Sequence, residues 1–583
     1  MPYLFRINIF VVMRLIKLTI FLGIFTSFGN SSIAQTDSNL TFSSPLNIPL
    51  FLAGNFGEIR GGHFHAGIDI KTQQVEGHVV LAAADGYISR VKISLGGYGN
   101  ALYITHTNGY TTAYGHLQKF NEEITSYITK EQYKDKKFTI ERFLPKNKIS
   151  VKKGDTIAIS GNSGGSGGPH LHFEIRKNGI PQNPLLYGFD IKDDIAPIIK
   201  HIGIYPMNDT SFINGKNTPL ILPIKKIGTH YKIASSSKIK GKGVLGFGIE
   251  TIDKLNGATN RCGVYSISLQ ADNHVIYSHQ MDEISFDVTR FIQTHVDFYE
   301  AKKNKRRIQK SYLTSYNKLK IYKDVSNKGL VYFSKFGHHL NYSVTDVYGN
   351  NSQISFNVEY DSTKYSSETK PYSFTLFKYN VDNQLKSDGL NIFIPKFSLY
   401  ENLKFTTSLA DSLPNAVAPV YYIQDLYTPL QKKMTVSIRT KKDSVLGSKY
   451  FAVSLNKKLK VISPEGGKYD NGWVTFKTRS MGPYTILVDT IPPTIKSINF
   501  NSNTLNFSQL NQLTFKIKDQ SSGVKFYNAY IDGEWVLLEY DYKTNLAWIN
   551  LNHHTPTKGE HLLELKIGDS VNNFNSYSFK FIW

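Results

Sequence analysis

The chain is predicted to be mostly β and to consist of several modules in series. Strand-length segments alternate apolar and polar residues, as in YSISLQA and VTFKT, which is the pattern of strands with one buried face. Tyrosine and phenylalanine, both common in strands, number 36 each. A length of 583 residues favours three or four domains over a single one.

The first 34 residues have the features of a secretory signal. Arg14 and Lys17 precede the apolar run LTIFLGIFTSF, and the segment SIA at 32–34 forms a cleavage site with small residues. Met13, followed by RLIK, is an alternative start. The apolar run is too short to span a membrane, and no cysteine follows it to carry a lipid. We therefore expect an exported protein, located in the periplasm or outside the cell, with no transmembrane span.

Two segments about a hundred residues apart carry a candidate metal-binding set. The first, HFHAGIDI, contains His65 and Asp69, whose spacing fits a turn leaving a strand. The second, GNSGGSGGPHLHFEI, contains His170 and His172, which point to the same face of a predicted strand. Two imidazoles and one carboxylate can bind zinc and leave a fourth position open for water, as catalytic sites do.

Either motif alone arises by chance in many chains. Their occurrence together, with glycines just before the second, favours a metal site. Between them lies AYGHL, which contains His116.

These segments resemble the lysostaphin-type (LytM-like) zinc metallopeptidases, which cleave peptide cross-links in bacterial peptidoglycan. The resemblance covers residues 45–190 and rests on the H-x-x-x-D, Y-x-H-L and G-P-H-L-H-F-E motifs and on the run GGYGNALYITHTNGYTTAYGHL. It implies an antiparallel β peptidase domain of the LytM, duplicated-hybrid-motif type. It implies that one Zn²⁺ per chain is held by His65, Asp69 and His172, and that His116 and His170 are catalytic histidines that do not bind the metal.

The resemblance implies a zinc metalloendopeptidase that hydrolyses stem-peptide cross-links with zinc-activated water. His116 and His170 would act as acid/base and as oxyanion stabiliser, and the sequence leaves open which does which. Glu174 lies on the same strand face as His172 and is expected to orient an imidazole. The glycines at 164, 165, 167 and 168 either let a peptide approach the strand or form a flexible turn.

Two departures from the family pattern bear on specificity and on the cleft. Relatives that cleave Gly-Gly bonds carry a tyrosine before the first zinc histidine, whereas this chain has Arg60 in GEIRGGHFH. Arg60 either holds a substrate carboxylate or pairs with an acid such as Glu58. Residues 120–150 are longer than usual and form either a wall or lid of the cleft or a solvated loop. Asn121 can cap a helix there.

An internal repeat follows the peptidase-like segment. DDIAPIIKHI at 193–202, CGVYSISLQAD and DVYGNNSQISF match DTIPPTIKSI at 489–498, SGVKFYNAYID and DSVNNFNSYSF in the same order. We predict two immunoglobulin-like β-sandwich modules, at 193–360 (with an insertion) and 489–583. Between them, 361–488 is predicted to be a β-rich domain to which the sequence assigns no role.

Composition limits the partners. The net charge of +22, from 68 basic and 46 acidic residues, favours attraction to anionic envelope polymers or a soluble basic surface. No pattern typical of nucleic-acid binding is present. The basic run KKNKRR is predicted to be an exposed loop, and the single cysteine, Cys262, a small buried apolar residue.

Two other functions remain open at this point. One is a catalytically silent LytM-like domain that serves as a scaffold or activator of other wall enzymes. The other is a surface adhesin whose β-modules carry the main function.

Overall fold

The computed structural model describes residues 42–235, 238–365, 374–440, 445–501, 506–553 and 556–583. The predicted signal segment lies outside these residues. Within the described ranges nearly all regular structure is β, and the prediction of a peptidase domain followed by several β modules is confirmed. None of the helices in these ranges is both long enough and apolar enough to cross a membrane.

The N-terminal part is one antiparallel sheet of eleven strands. Its main path runs β1-β2-β10-β6-β5-β4-β7, and β9 joins β3 to β6. The strands are β1 Leu52–Gly54, β2 Ile68–Lys71, β3 Val79–Leu81, β4 Gly86–Ile93, β5 Asn100–His106, β6 Tyr110–Phe120, β7 Ile140–Phe143, β8 Ser150–Val151, β9 Thr156–Ser160, β10 His170–Lys177 and β11 Ile180–Gln182.

The long segment between β6 and β8 is an ordered insertion and not a solvated loop. Helix α1, Glu122–Asp135, begins at Asn121, whose side chain accepts a hydrogen bond from the amide of Ile124 at 3.0 Å, as its cap position predicted. The Tyr133 ring packs edge-on against Trp535 at 5.3 Å. The helix therefore contacts the C-terminal module through Tyr133, and its Glu131 and Asp135 pair with Arg142 of β7 in its own sheet.

The second part of the chain is a twelve-stranded sheet with two short helices, α2 Ile292–His295 and α3 Phe298–Lys303. Its strands are β12 Ile198–Pro206, β13 Phe212–Ile213, β14 Leu220–Ile227, β15 His230–Ile233, β16 Lys240–Ile252, β17 Ser266–Ala271, β18 His274–Gln280, β19 Ile308–Lys310, β20 Tyr322–Val325, β21 Val331–Phe333, β22 His338–Thr345 and β23 Asn351–Tyr360. The basic run KKNKRR is solvent-facing, but it begins inside α3, so the prediction of a loop was wrong for its first residues.

The third part packs two five-stranded sheets around one apolar core and adds the pair β24-β27. Its strands are β24 Thr375–Phe377, β25 Asn383–Lys386, β26 Leu390–Ile394, β27 Leu403–Phe405, β28 Thr407–Ala410, β29 Val420–Ile423, β30 Met434–Arg439, β31 Tyr450–Leu455, β32 Val461–Gly466, β33 Lys468–Asp470, β34 Trp473–Thr478 and β35 Gly482–Val488.

The C-terminal part encloses its core between two four-stranded sheets. Its strands are β36 Thr494–Ser497, β37 Gln512–Lys518, β38 Val524–Ile531, β39 Glu534–Val536, β40 Leu538–Asp541, β41 Leu546–Asn550, β42 Glu560–Asp569 and β43 Phe574–Ile582. Short 3₁₀ turns occur in the chain at Pro184–Tyr187, Thr289–Phe291, Asn327–Gly329, Gly447–Lys449 and Leu551–His553.

The second and C-terminal parts share one pairing pattern, which supports the repeat seen in the sequence. The antiparallel pairs β12·β16, β17·β18, β17·β22 and β22·β23 correspond to β36·β37, β38·β39, β38·β42 and β42·β43. A hairpin aspartate also pairs with a histidine in both: Asp272 with His338, and Asp532 with His561, each at 2.6 Å.

Candidate metal centre

Strand register brings the predicted ligands together. In the antiparallel pair β2·β10, His172 lies directly opposite Asp69, and in the pair β6·β10 it lies opposite Gly115. The two segments are far apart in sequence but adjacent in the sheet. His170 lies two residues before His172 on β10, so both side chains leave the same face.

His65 reaches the same point from a tight loop. An isolated bridge between Ile59 and Phe64 closes this loop just before β2 begins. The spacing of His65 and Asp69 therefore spans a turn that enters a strand, and the prediction of a turn leaving one was wrong. His65, Asp69 and His172 are all buried, at 2%, 4% and 3% exposure.

The three facing atoms fit one zinc ion. His65 Nε2 lies 3.1 Å from both His172 Nδ1 and Asp69 Oδ1. His172 Nδ1 and Asp69 Oδ1 are 2.8 Å apart. Ligand atoms in a tetrahedral shell with bonds of about 2.0–2.1 Å are separated by about 3.3 Å. The donor set, two imidazoles and one carboxylate, is also the one that zinc prefers.

Hydrogen bonds fix the tautomer of each histidine. The Nδ1 atoms of His65, His116 and His170 lie 2.8 Å from the carbonyl oxygens of Asn55, Ser163 and Gly168. A carbonyl oxygen only accepts, so each of these Nδ1 atoms carries the proton and each Nε2 has a free lone pair. In His172 the roles are reversed, because Nε2 donates to a carboxylate oxygen of Glu174 at 2.8 Å. In each ring, the nitrogen that makes no outer hydrogen bond is therefore the one left to act at the centre.

A β-bulge aims His116 at the centre. The pair β5·β6 matches Asn100 to Leu117 but Leu102 to Tyr114, so β6 carries one extra residue there. His116 has a φ of +60° within this bulge. Its ring lies 4.7 Å from that of His170. Burial, followed by the nearby His172 and His170, lowers the pKa of His116 to about 3, so this ring is neutral at pH 7.

Two glycine loops hold the carbonyl that orients His116. Gly164, with a φ of +69°, packs against Gly99 so closely that an added Cβ would lie 2.3 Å from the Gly99 nitrogen. Gly167 has open space around its Cα. The two glycines therefore differ: Gly164 is needed for backbone packing, whereas a Cβ added at Gly167 would meet no other atom within 4 Å.

We expect Gly164→Ala to lower the stability of the N-terminal sheet by more than about 1–2 kcal/mol, because it adds the left-handed backbone cost to a backbone clash. Gly167→Ala is the matched control, and we expect a change of at most about 0.5 kcal/mol. Denaturant unfolding of both variants measures this, and equal effects would contradict the packing role of Gly164.

Glu174 is the buried acid behind His172, as the strand pattern predicted. Its side chain is fully buried and accepts hydrogen bonds from Tyr98 Oη, from His172 Nε2 and from Arg176 Nε at 2.6 Å. Burial alone would raise the pKa of Glu174, but Arg176 and His172 outweigh it and lower the pKa to about 2. The Tyr98 ring also stacks on His172 at 4.7 Å.

Arg60 pairs with the candidate ligand Asp69 as well as with Glu58. Its Nη2 donates to Asp69 Oδ2 at 2.6 Å and to Glu58 Oε2 at 3.4 Å. Arg60 therefore pairs with nearby acids, one of the two alternatives that the sequence left open, and Asp69 is a partner in addition to Glu58. Asp69 Oδ2 is therefore paired with the Arg60 guanidinium, and Asp69 Oδ1 faces the histidines.

The carboxylates that hold His172 also set its protonation in the metal-free chain. Burial would lower the pKa of His172, but hydrogen bonds to Asp69 and Glu174 raise it to about 9. Below pH 9 a proton therefore occupies Nδ1, the same atom that would bind zinc.

We expect zinc uptake at pH 6 to release about one proton per chain and the apparent affinity to rise with pH up to about 9, because metal and proton compete for Nδ1. Calorimetry in two buffers of different ionisation enthalpy measures the proton count. Zinc binding with no proton release at pH 6 would contradict this assignment.

Residues from two later modules lie against the centre. The amide of Phe64 donates to Thr289 Oγ1 at 2.9 Å, and the Asn55 side chain exchanges two hydrogen bonds with the backbone of Gly263. On the other side, Lys543 Nζ donates to the carbonyl oxygens of Asn162 and Ser166 in the glycine loop. The site is therefore bordered by several parts of the chain.

The sequence of the sheet matches a known peptidase family. Residues 63–134 and 131–184 match the family model described as Peptidase family M23. The chain carries a peptidase family M23 domain. The predicted resemblance is thereby confirmed, and all five motif residues fall within the matched range. Residues 374–489 match a second model, described as a Zu5-like domain, in the region to which the sequence assigned no role.

Curated relatives match the M23 domain alone. The DD-carboxypeptidase/endopeptidase Mpg of Neisseria meningitidis serogroup B is 38% identical over 121 residues, which is 21% of this chain and 22% of that protein. The murein hydrolase activator NlpD of Salmonella dublin is 35% identical over 133 residues, which is 23% of this chain and 28% of that protein. The match thus spans less than a third of either relative.

Among solved structures, the catalytic domain of the antimicrobial peptidase lysostaphin from Staphylococcus simulans is 26% identical. It covers 23% of this chain and 90% of that chain, with a TM-score of 0.18.

Sequence reasoning missed three contributors to the site: Tyr98, Arg176 and Lys543. Tyr98 lies in GGYGN, at the start of the run on which the family resemblance rests, so the resemblance could have indicated it. Arg176 lies two residues after Glu174 on the same strand face, so the two-residue period of a strand could have indicated it. Lys543 is more than 350 residues from the motifs in sequence, and no pattern in the chain indicated it.

Proposed function

We propose that the chain is an exported zinc metalloendopeptidase that hydrolyses peptide cross-links of bacterial peptidoglycan. The observation that carries this proposal is the arrangement of four imidazoles around Asp69 with every tautomer fixed. A structural histidine cluster has no need for four rings that are each anchored by an outer hydrogen bond and directed at one buried site. The M23 domain match and the relative named an endopeptidase support a peptidase, and the relative named a murein hydrolase activator supports peptidoglycan as the substrate class.

His65, Asp69 and His172 are proposed to hold the metal. A zinc ion bound there would supply the Lewis acidity that activates water at neutral pH and polarises a scissile carbonyl. Glu174 keeps one proton of His172 on Nε2, so Nδ1 is the nitrogen that would bind the metal once its own proton is released. Arg60 holds Asp69 in place from the opposite side.

We assign proton acceptance from the attacking water to His170. Its Nε2 lies 3.4 Å from Asp69 Oδ1, which places this nitrogen at the candidate centre. Once protonated, His170 can give that proton to the leaving amine. His116 stays neutral, since its pKa is about 3, and its Nε2 lone pair can accept a hydrogen bond that orients the water.

A basic cavity beside the centre supports a directly cross-linked substrate. The cavity has a volume of about 430 Å³ and extends from Arg60 into the second module. Its charged lining residues are Arg60, Arg261, Lys302, Lys305 and Arg307, with Glu58 and Glu250. Directly linked stem peptides carry free carboxylates near the cleaved bond, whereas a polyglycine bridge carries none. Cationic side chains at this position therefore favour the direct cross-link.

We expect the wild type to cleave cross-linked diaminopimelate muropeptides faster than pentaglycine. Arg60→Ala should reduce the ratio of the diaminopimelate muropeptide rate to the pentaglycine rate. The ratio is compared because the variant also loosens Asp69, which should lower both rates. The assay uses saturating zinc and one enzyme concentration for both substrates. Faster cleavage of pentaglycine by the wild type would overturn the preference.

One rival function has an observation in its favour. The relative NlpD is named a murein hydrolase activator, so the domain could serve to activate other wall enzymes. The complete set of His65, Asp69, His116, His170 and His172 argues for catalysis. Incubation of the purified chain with cross-linked muropeptides and no other hydrolase separates the two functions. Cleavage supports the peptidase, and release of fragments only when another hydrolase is added supports the activator.

A further inference from the structure

Three aspartates converge at the start of the second module. Asp193, Asp253 and Asp346 each offer a carboxylate oxygen, and these atoms lie within 4.8 Å of one another. Asp253 and Asp346 are each only 2% exposed. In the described residues, no lysine, arginine or histidine forms an ion pair with any of the three. Three acids at one buried point therefore have no cation to offset their charge.

An unsatisfied oxygen marks this point as a ligand site. Asp253 Oδ1 is buried and has no hydrogen-bond partner among the described residues, and the same holds for Asp193 Oδ2. A buried carboxylate oxygen without a partner costs several kcal/mol unless a cation or donor meets it. Burial and the charges of Asp193 and Asp346 raise the pKa of Asp253 to about 8. A cation bound beside Asp253 would stabilise the ionised carboxylate and lower this pKa.

The C-terminal module repeats the arrangement at equivalent positions. Asp489, Asp519 and Asp569 also place carboxylate oxygens within 4.8 Å of one another. Asp193 and Asp489 begin the two matched segments, and Asp253 and Asp519 follow the corresponding strands β16 and β37. Such a coincidence of three acids is not required by the fold of a β module.

The third acid of each set is held in the same way. Asp346 accepts from the amide of Asn350 at 2.9 Å and from its side chain at 2.8 Å. Asp569 accepts from the amide of Asn573 at 2.8 Å and from its side chain at 2.7 Å. Both aspartates are thus fixed by an asparagine four residues later.

We propose that each aspartate triad binds one Ca²⁺ ion. All the donors are oxygens, which suit a hard cation and not zinc. Calcium accepts irregular shells of carboxylate, carbonyl and water oxygens, whereas Mg²⁺ demands near-ideal octahedral geometry. Three carboxylates leave positions for backbone carbonyls or water.

The position of the triads indicates what the ions would do. Asp193 lies just after the M23 domain, and Asp489 lies at the end of the Zu5-like match. In each triad the other two acids belong to the body of the following module. A bound ion would therefore tie the incoming chain to that module. At the first site this would fix the module whose Gly263 and Thr289 contact the loop that carries His65.

The test is a calorimetric titration of Ca²⁺ into the full-length, zinc-loaded chain. We expect about two Ca²⁺ per chain with Kd of about 10⁻⁴–10⁻³ M, as in extracellular modules, and weaker binding of Mg²⁺. Asp253→Asn and Asp519→Asn should each reduce the number to about one. Asp209→Asn, in the turn at the opposite end of β12, carries the same charge change and should keep two.

A second readout separates a ligand from a merely structural acid. With a chelator present, the segment 190–200 of Asp253→Asn should exchange amide hydrogens no faster than that of the wild type, because the amide relieves the crowding of three carboxyl groups. Calcium should slow this exchange in the wild type and not in the variant. No Ca²⁺ binding by the wild type up to about 10 mM, well above typical extracellular affinities, would overturn the proposal. Equal calcium effects in wild type and Asp253→Asn would do the same.

Discussion

His65→Ala and His172→Ala are expected to lose bound zinc and peptidase activity together, whereas His116→Ala should keep about one zinc per chain and lose only activity. The first two remove atoms that lie within about 3 Å of Asp69 Oδ1, as expected of neighbours in one zinc shell. His116 contributes no atom to this triangle. Loss of a positioned proton-handling or water-orienting group typically costs about 10²–10⁴-fold in rate.

The matched control is His63→Ala, a substitution of the same type in the same loop at an exposed position. It should keep about one zinc per chain, measured by metal analysis after gel filtration. Near-normal activity of His116→Ala would show that its assigned role is wrong. Retention of zinc by His172→Ala would contradict the proposed ligand set.

Glu174→Gln is expected to affect stability and zinc affinity at once. The buried Arg176 guanidinium would lose its only carboxylate partner among the described ion pairs, which typically costs about 3–5 kcal/mol. The His172 ring would lose the acceptor that keeps its proton on Nε2, and such partners are typically worth about 10–100-fold in metal affinity. Denaturant unfolding and competition with a chromogenic chelator measure the two effects.

Glu141→Gln is the control for this variant. Glu141 pairs with Arg90 and Lys92 near the surface of the same sheet, and its side chain is 35% exposed. Its loss should cost at most about 1 kcal/mol and leave zinc affinity unchanged. Equal effects of the two substitutions would remove Glu174 from the account of the site.

Much of the site could be predicted because its chemistry is carried by local spacing. The pattern H-x-H on a strand places His170 and His172 on one face whatever the rest of the fold does. The same two-residue period places Glu174 on the face of His170 and His172. Asn121 precedes two glutamates, and this pattern predicted the helix cap there. Each of these inferences depends only on neighbouring residues.

The remainder depends on register and on packing between modules. Tyr98 stacks on His172 from the loop before β5, next to the register shift between Asn100 and Leu102. Arg60 pairs with Asp69 as well as with Glu58, and the contact with Asp69 depends on the loop closed by Phe64. Lys543 belongs to a module whose docking beside the glycine loop no local pattern encodes.

The fold was predictable to a similar depth. Alternating residues predicted the mostly β fold, because the hydrophobic period is a local signal. The matched segments predict two related modules. The repeat did not reveal that its aspartates meet in space, because Asp253 lies in none of the matched segments.

The most direct test of the central claim is digestion of purified diaminopimelate-type peptidoglycan in ¹⁸O-labelled water by the zinc-loaded chain alone. Mass spectrometry of the released fragments identifies the bond that is cleaved. The account predicts new peptide ends with one ¹⁸O in the new carboxyl group, and a strongly reduced yield with His116→Ala. Absence of any cleaved cross-link with the zinc-loaded wild type would contradict it.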